Sequence, residues 1–139
     1  MSRSGYSDSL DQWDLIRWRG AVASALRGRR GQAFLCEMLA ALDALPAPRL
    51  IDRDLVAAGE VCALGAVARQ RDLDVDSVDP DDAREVASAF GVAHALAAEV
   101  MHQNDDAGRW KEPPEDRWAR MRAWVVAHLT PAPGGEGGA

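Results

Sequence analysis

The feature that most constrains the fold is a pair of helical patterns over residues 13–45, interrupted by a short basic segment. Apolar side chains recur there at steps of three and four, which is the spacing of one face of an α-helix. The two sets are Leu15, Trp18, Val22 and Ala25, then Phe34 or Leu35, Met38, Leu42 and Leu45. Between them lies the segment that we call the arginine knuckle, which consists of Arg27, Gly28, Arg29, Arg30 and Gly31. Glycine commonly follows the last residue of a helix, so we predict one helix ending with Gly28 as its C′ glycine and a second helix beginning near Gly31.

The rest of the chain carries further helix signals separated by turn residues. They predict a third helix from Gly59 to Arg71, a fourth that is N-capped by Asp79 and ends at Phe90, a fifth over about residues 93–103, and a last one over about residues 113–130. Residues 49–58 fit either a helical turn or a short extended piece. We therefore predict an all-α protein, a compact single-domain bundle of five to six helices over residues 10–130. Residues 1–9 are predicted to be a flexible segment, and residues 131–139 a disordered Pro/Gly tail.

The charge of the chain limits the classes of partner. Its formal net charge is −6 and its pI is near 5.0, whereas general nucleic-acid binders draw their affinity from a basic face. An acidic surface favours solubility, or a basic partner. The first residues lack an apolar signal region, and no stretch of about 18 apolar residues is present. We therefore expect a cytoplasmic protein without a membrane partner.

The first candidate site is the arginine knuckle. If the second helix begins near Gly31, the unbonded amides of residues 31–33 lie beside three arginines. A helix N-terminus favours an anion and arginine binds carboxylate or phosphate, so an acidic partner surface or a phosphate could dock there. The residues predicted to contribute are Arg27, Arg29, Arg30, Gly31 and Gln32. The alternative is that the arginines cap the first helix and pair with carboxylates of this chain.

The second candidate is a helix-turn-helix-like pair over residues 84–103. Ala87 stands four residues before Gly91, which matches the small residue and the turn glycine of that motif. Base reading requires donors and phosphate contacts from the second helix. The positions predicted to face outward there are Ala93, His94, Ala95, Ala98, Glu99 and His102. The spacing therefore favours the motif, while the chemistry makes nucleic acid a possible but not a favoured partner.

A third candidate is the acidic surface. Asp72, Asp74 and Asp76 have the opening spacing of a calcium loop, but Ala83 stands where that loop needs a bidentate glutamate. A different hypothesis is that the carboxylates imitate nucleic-acid phosphates toward a basic protein, the alternative being a solvated loop with helix caps. The residues of this surface are Asp72, Asp74, Asp76, Asp81, Asp82, Asp105 and Asp106, to which Glu112, Glu115 and Asp116 could add.

Signals for catalysis are weak. Glu99 and His102 form a single Glu-x-x-His pair, while a di-iron bundle needs two such pairs and further inward glutamates. No serine or cysteine lies in a known nucleophile motif. We therefore predict no metal, no cofactor and no enzymatic activity.

Tryptophan supplies one more candidate contact. The chain has five tryptophans, most of which we expect in the core. Trp110 differs, because it lies in a turn-rich segment between Arg109 and Lys111. Exposed tryptophan beside arginine is typical of an interaction hot spot, so Arg109 and Trp110 are predicted to contact a partner.

Several stretches also resemble a known family. They are residues 18–35, 59–67, 104–106 and 114–125, and the similarity extends over about residues 13–129. They resemble a family of small proteins carried by phages and prophages of proteobacteria, to which no activity is assigned. The resemblance implies a non-catalytic interaction protein in the host bacterial cytoplasm that binds a host or phage protein, in concrete form a counter-defence or host-takeover inhibitor. The alternative is a helix-turn-helix regulator of phage genes.

Overall fold

A computed structural model describes residues 12–130 and confirms the all-α class. The segments predicted to be loose, 1–9 and 131–139, lie outside the described residues. Six helices are present in the described part of the chain: α1 (Gln12–Arg27), α2 (Arg29–Ala44), α3 (Ala63–Arg71), α4 (Ala83–Phe90), α5 (His94–Asp105) and α6 (Pro114–His128). Two short strands, β1 (Val56–Ala57) and β2 (Glu60–Val61), pair antiparallel between α2 and α3.

Two helices organise the packing. α2 packs against α1, α3 and α6, and α5 packs against α1, α3, α4 and α6. The apolar face of α2 is buried as its periodicity predicts, with Leu35, Met38 and Leu42 almost completely enclosed. α5 is enclosed by helices on several sides, and its Leu96 and Met101 lie in the same core. The helical bundle therefore closes around a single apolar interior.

The first helix departs from its predicted pattern. Its stripe is half-buried only from Trp18 onward, while Leu15 is exposed. Trp13, which was expected in the core with most of the tryptophans, is 73 % exposed. The reason is that α1 packs against the core from Trp18 onward, toward its C-terminal end, where Leu26 is buried.

Several helix boundaries also differ from the sequence-based expectation. α2 begins at Arg29 rather than near Gly31, and α3 begins at Ala63 rather than at Gly59. α4 is N-capped by Asp82 instead of Asp79. The Asp82 carboxylate accepts hydrogen bonds from the backbone amides of Arg84 and Glu85, at 3.0 and 3.2 Å. Asp79 caps its own turn by accepting from the amide of Asp81. α5 extends two residues beyond the predicted end.

The ambiguous segment 49–58 is extended rather than helical. Backbone hydrogen bonds tie it to distant elements: the Leu50 amide donates to the Pro114 carbonyl at 3.1 Å, and the Ile51 amide donates to the Val61 carbonyl at 2.9 Å. Asn104 of α5 also donates to the Ile51 carbonyl at 3.0 Å. Pro114 and Asn104 lie far away in sequence, so local propensity could not decide the conformation.

The predicted turn between α4 and α5 is confirmed. α4 ends at Phe90, and Gly91 adopts the left-handed conformation with φ +70°, which glycine reaches without steric cost. The amide of Val92 then donates to the Ala87 carbonyl at 3.1 Å, which completes the helix end. Within residues 12–130, no helix has the length and apolarity needed to span a bilayer.

Candidate functional site

The arginine knuckle is a sharp corner between α1 and α2. Gly28 is the only residue between the two helices and has an extended conformation, with φ −67° and ψ 161°. It is therefore the N-cap of α2 and not the left-handed C′ residue predicted for α1. The amide of Gln32 already donates to the Gly28 carbonyl at 2.9 Å, so the prediction that this amide is unbonded is wrong. No side chain of the described residues caps the start of α2.

Gly31 and Gln32 have structural roles at this corner. Gly31 is buried, and a Cβ atom at this position would lie 1.8 Å from the Ala25 carbonyl oxygen. The Gln32 amide nitrogen donates to the carbonyls of Leu26, at 2.7 Å, and of His128, at 2.9 Å. Its amide oxygen accepts from the Thr130 amide at 2.9 Å. Gln32 thus ties the ends of α1 and α6 together, and its side chain is occupied within the protein.

The three arginines of the knuckle behave differently. Arg27, Arg29 and Arg30 are exposed, and within residues 12–130 none of them lies within 4 Å of a carboxylate. Other arginines of the chain do hold carboxylates, for example Arg71 with Glu37 at 2.6 Å. Within the described part of the chain, the knuckle arginines therefore do not form the ion pairs that the alternative interpretation predicted. Their guanidinium groups face solvent with unused donors.

A groove connects the knuckle with the turn between α4 and α5. We call it the knuckle groove; its volume is about 600 Å³, within the roughly 300–1,000 Å³ typical of ligand pockets. The α1–α2 corner forms one wall and the α4–α5 turn forms the other. The lining residues are Ser24, Ala25, Gly28, Arg29, Arg30 and Gly31 on the first wall, and Ala87, Ser88, Gly91, Val92, Ala93 and Leu96 on the second. The structure thus brings two features predicted from the sequence, the arginine knuckle and the turn of the helix-turn-helix-like pair, to one site.

The start of α5 contributes to this site. Ala93 is the N-cap of α5, lines the groove and provides no side-chain hydrogen bond to the first turn. The positive end of the α5 helix dipole therefore lies at the groove. His94 follows, with its ring edge-on to Trp18 at a centroid distance of 5.3 Å. Burial of His94 lowers its pKa below the usual histidine value, and the nearby positive charge of Arg84 lowers the pKa further.

The burial of α5 speaks against the helix-turn-helix use of this pair. Every residue of α5 is buried or half-buried. Ala95 and Ala98, which were predicted to face outward, are 8 % and 0 % exposed, because α5 is packed by several helices at once. A recognition helix must present a face that can enter the major groove, and α5 presents none in this arrangement.

Trp110 lies at the other end of α5. That helix has 12 residues and is therefore about 18 Å long, which separates the loop after it from the knuckle groove. Trp110 is 86 % exposed, with the Lys111 ammonium 6.0 Å from its ring centroid. Arg109 pairs with Asp116 at 2.8 Å. The knuckle residues and the pair Arg109 and Trp110, which were all predicted to bind a partner, therefore do not form one site.

The acidic surface is likewise split. Asp72, Asp74, Asp76, Asp81 and Asp82 are exposed in the loop between α3 and α4 and at the start of α4. Asp105 and Asp106 lie at the end of α5 and contact a different segment. The carboxylate of Asp105 accepts from the Arg53 amide at 3.0 Å, and Asp106 lies 3.9 Å from the Arg53 guanidinium. Among residues 12–130 no cluster of three or more potential metal ligands is present.

Glu112 is a residue whose role the sequence analysis missed. It was considered as part of the acidic surface, but its side chain is only 6 % exposed. Its carboxylate accepts from Nε and Nη2 of Arg120, at 2.8 and 3.0 Å, and lies 3.6 Å from Nε of the buried Arg117. The sequence contained one indication of this cluster, because Arg117 has the same helical spacing as Met121 and Val125, which are buried. A charged residue on an apolar stripe needs a partner.

Acid is expected to weaken this buried cluster. The hydrogen bonds from Arg120 lower the pKa of Glu112 below the usual 4.5, against the opposing effect of burial. A carboxyl group whose pKa is lower in the folded state stabilises the fold fully above its unfolded pKa, and this contribution is lost as the pH falls through the folded pKa. We expect the free energy of unfolding to decrease below about pH 4.5, and to decrease less steeply in Glu112→Gln, when measured by urea denaturation from about pH 7 to pH 3. Equal slopes in the two proteins would contradict this assignment. Glu37, which Arg71 holds in a similar way, is present in both proteins and serves as the internal reference.

Comparison with known proteins gives no match to a family model, to a curated protein or to a solved structure. The class of the protein is therefore defined by its fold, an all-α bundle.

Proposed function

We propose that this chain is a non-catalytic interaction protein that binds a partner protein through the knuckle groove. In concrete form it is a phage or prophage protein that inhibits a host defence or other host protein. The family resemblance supports the phage context. The groove supports the mode of action, because binding requires an accessible surface with unused interaction capacity.

The observation that carries the proposal is the state of the knuckle arginines. Arg29 and Arg30 line the groove, are exposed and hold no carboxylate of residues 12–130. The carboxylates of Glu37, Asp43 and Glu112 are bound by other arginines. In an acidic protein, arginines left without a carboxylate at the mouth of a groove are available for a partner. Arginine is also enriched among the residues that dominate binding energy.

The DNA-binding alternative has less support. It needs an exposed recognition helix with a basic face, whereas α5 is enclosed and carries Glu99 on its less buried side. Retention on DNA by the knuckle arginines alone would be non-specific and would disappear as salt is raised. Stoichiometric capture of a protein from host lysate would support the inhibitor, whereas salt-sensitive retention on DNA would support the regulator.

Replacing Arg29 and Arg30 together by alanine is expected to weaken partner binding without unfolding the protein. Both side chains are exposed, so the melting temperature should stay close to that of the wild type. The partner is first isolated from bacterial host lysate with the full chain as bait, and its affinity is then measured by titration. We expect a loss of about tenfold or more.

A matched control removes two positive charges at the other end of α5. Arg109→Ala/Lys111→Ala changes the net charge by the same amount, and these residues flank Trp110, the other predicted contact. We expect this variant to bind the partner like the wild type. Normal binding by the knuckle variant together with lost binding by the control would move the interface to the Trp110 loop and overturn the proposed site.

A further inference from the structure

The chemistry of the knuckle groove narrows the kind of segment that can occupy it. Its floor is apolar and built from small or aliphatic side chains, including Ala87, Val92 and Leu96. Arg29 and Arg30 also line the groove and are exposed, so these two arginines form its rim. An apolar floor takes an aliphatic side chain through burial of apolar area, while the rim takes a carboxylate through charge-assisted hydrogen bonds.

The walls permit close approach of a polypeptide backbone. Gly28 and Gly91 lack side chains, and Ala25 and Ala93 add only a methyl group to the walls. Ser24 is exposed on the α1 side and supplies a hydroxyl group that can donate to or accept from a peptide group. A narrow groove between two helix corners therefore fits a single peptide segment better than the flat surface of a folded domain.

A single-stranded nucleic acid fits the groove poorly, although it would also bring negative charge. Proteins that bind single strands stack the bases on aromatic side chains, and none of the residues 12–130 that line the knuckle groove is aromatic. A long basic track is also needed for the phosphates. Here α4, which begins just after the aspartates 79, 81 and 82, links the groove to an acidic segment. Charge and lining together favour a peptide.

We infer that the knuckle groove binds a peptide segment of the partner protein in which an aspartate or glutamate lies next to an aliphatic residue. The aliphatic side chain lies on the floor formed by Ala87, Val92 and Leu96. The carboxylate binds Arg29 and Arg30, and the N-terminal end of α2 adds its positive dipole to the same spot. This inference rests on the proposed function, since it specifies what the groove recognises.

The test uses a library of random peptides displayed on a carrier and selected on the immobilised full chain. We expect enrichment of sequences in which Asp or Glu adjoins Leu, Ile, Val or Met, and loss of that enrichment when the selection is repeated on Arg29→Ala/Arg30→Ala. Selection on Arg109→Ala/Lys111→Ala is the charge-matched control and should return the same sequences as the wild type.

Synthetic peptides then measure each half of the motif. Changing the acidic residue to its amide, or the aliphatic residue to serine, should each weaken binding about tenfold or more, as expected when one partner of a charged hydrogen bond or one buried side chain is lost. Enriched peptides without acidic residues, enrichment that persists in the arginine variant, or no enrichment would each overturn the inference. If lysate capture still depends on Arg29 and Arg30 in any of these cases, the groove remains the interface and only its ligand class is wrong.

Discussion

Gly31→Ala is expected to destabilise the protein by roughly 2–3 kcal/mol, the range for forcing an extra carbon into a tightly packed contact. The added Cβ atom would lie 1.8 Å from the Ala25 carbonyl oxygen and 2.9 Å from the Ala25 carbonyl carbon. The atoms it meets belong to the backbone of α1, so no side-chain rotation can relieve the contact. The ends of α1 and α2 would have to move apart, and this would also disturb Gln32, which joins α1 to α6.

Gly20→Ala is the matched control for this substitution. Gly20 lies within α1, is exposed, and has nothing within 4 Å of the position of an added Cβ atom. Alanine there should stabilise the protein by about 0.5–1 kcal/mol, because glycine is a poor helix former. Urea denaturation of both variants measures the difference. Stabilisation by both substitutions would mean that the contact between Gly31 and α1 is not tight.

Glu112→Gln is expected to cost about 3 kcal/mol of unfolding free energy, the scale for removing one partner of a buried ion pair. The substitution preserves size but removes the charge that faces two arginines. Arg120 would lose a charged acceptor at 2.8 and 3.0 Å. Arg117 is only 7 % exposed, and its Nε has no hydrogen-bond partner among residues 12–130. Its nearby negative charges are Glu112 at 3.6 Å and the more exposed Asp52 at 3.8 Å, so removing the Glu112 charge leaves Arg117 less compensated.

Asp43→Asn supplies the control for burial. The Asp43 carboxylate accepts from Nε and Nη2 of Arg122 at 2.7 and 3.1 Å, which is the same forked geometry. Its side chain is 45 % exposed, so water replaces what the mutation removes. We expect the free energy of unfolding of this variant to equal that of the wild type within error. Equal losses from both substitutions would show that the geometry of the pair, and not its burial, determines its contribution.

The Gly31→Ala substitution and the Arg29→Ala/Arg30→Ala variant separate two roles within a few residues of chain. Gly31 and Gln32 hold the corner together, while Arg29 and Arg30 are exposed at the same corner. A rigid corner presents its guanidinium groups in a defined direction, which lowers the conformational entropy lost on binding. The residues that hold the corner together are therefore adjacent to those that we propose bind the partner.

The sequence by itself determined the helices and several of their ends. The spacing of Phe34, Met38 and Leu42 predicts the buried face of α2, and Gly91 predicts the end of α4. These signals are local, since each depends on residues within about one helical turn. The first residue of α4 does not follow from the sequence, because Asp79 and Asp82 are both acceptable N-caps.

The tertiary structure decided which residues share a surface and which are used up in the fold. Gln32 bonds to His128, which is 96 residues away, and the buried state of Glu112 depends on Arg117 and Arg120 after a turn in the chain. α5 lost its outward face because several helices cover it at once. The knuckle groove exists because the α1–α2 corner meets the α4–α5 turn. Periodicity predicts which face of a helix is buried, but the partners that long-range pairing brings together depend on the whole packed chain, so local periodicity and capping signals do not identify them.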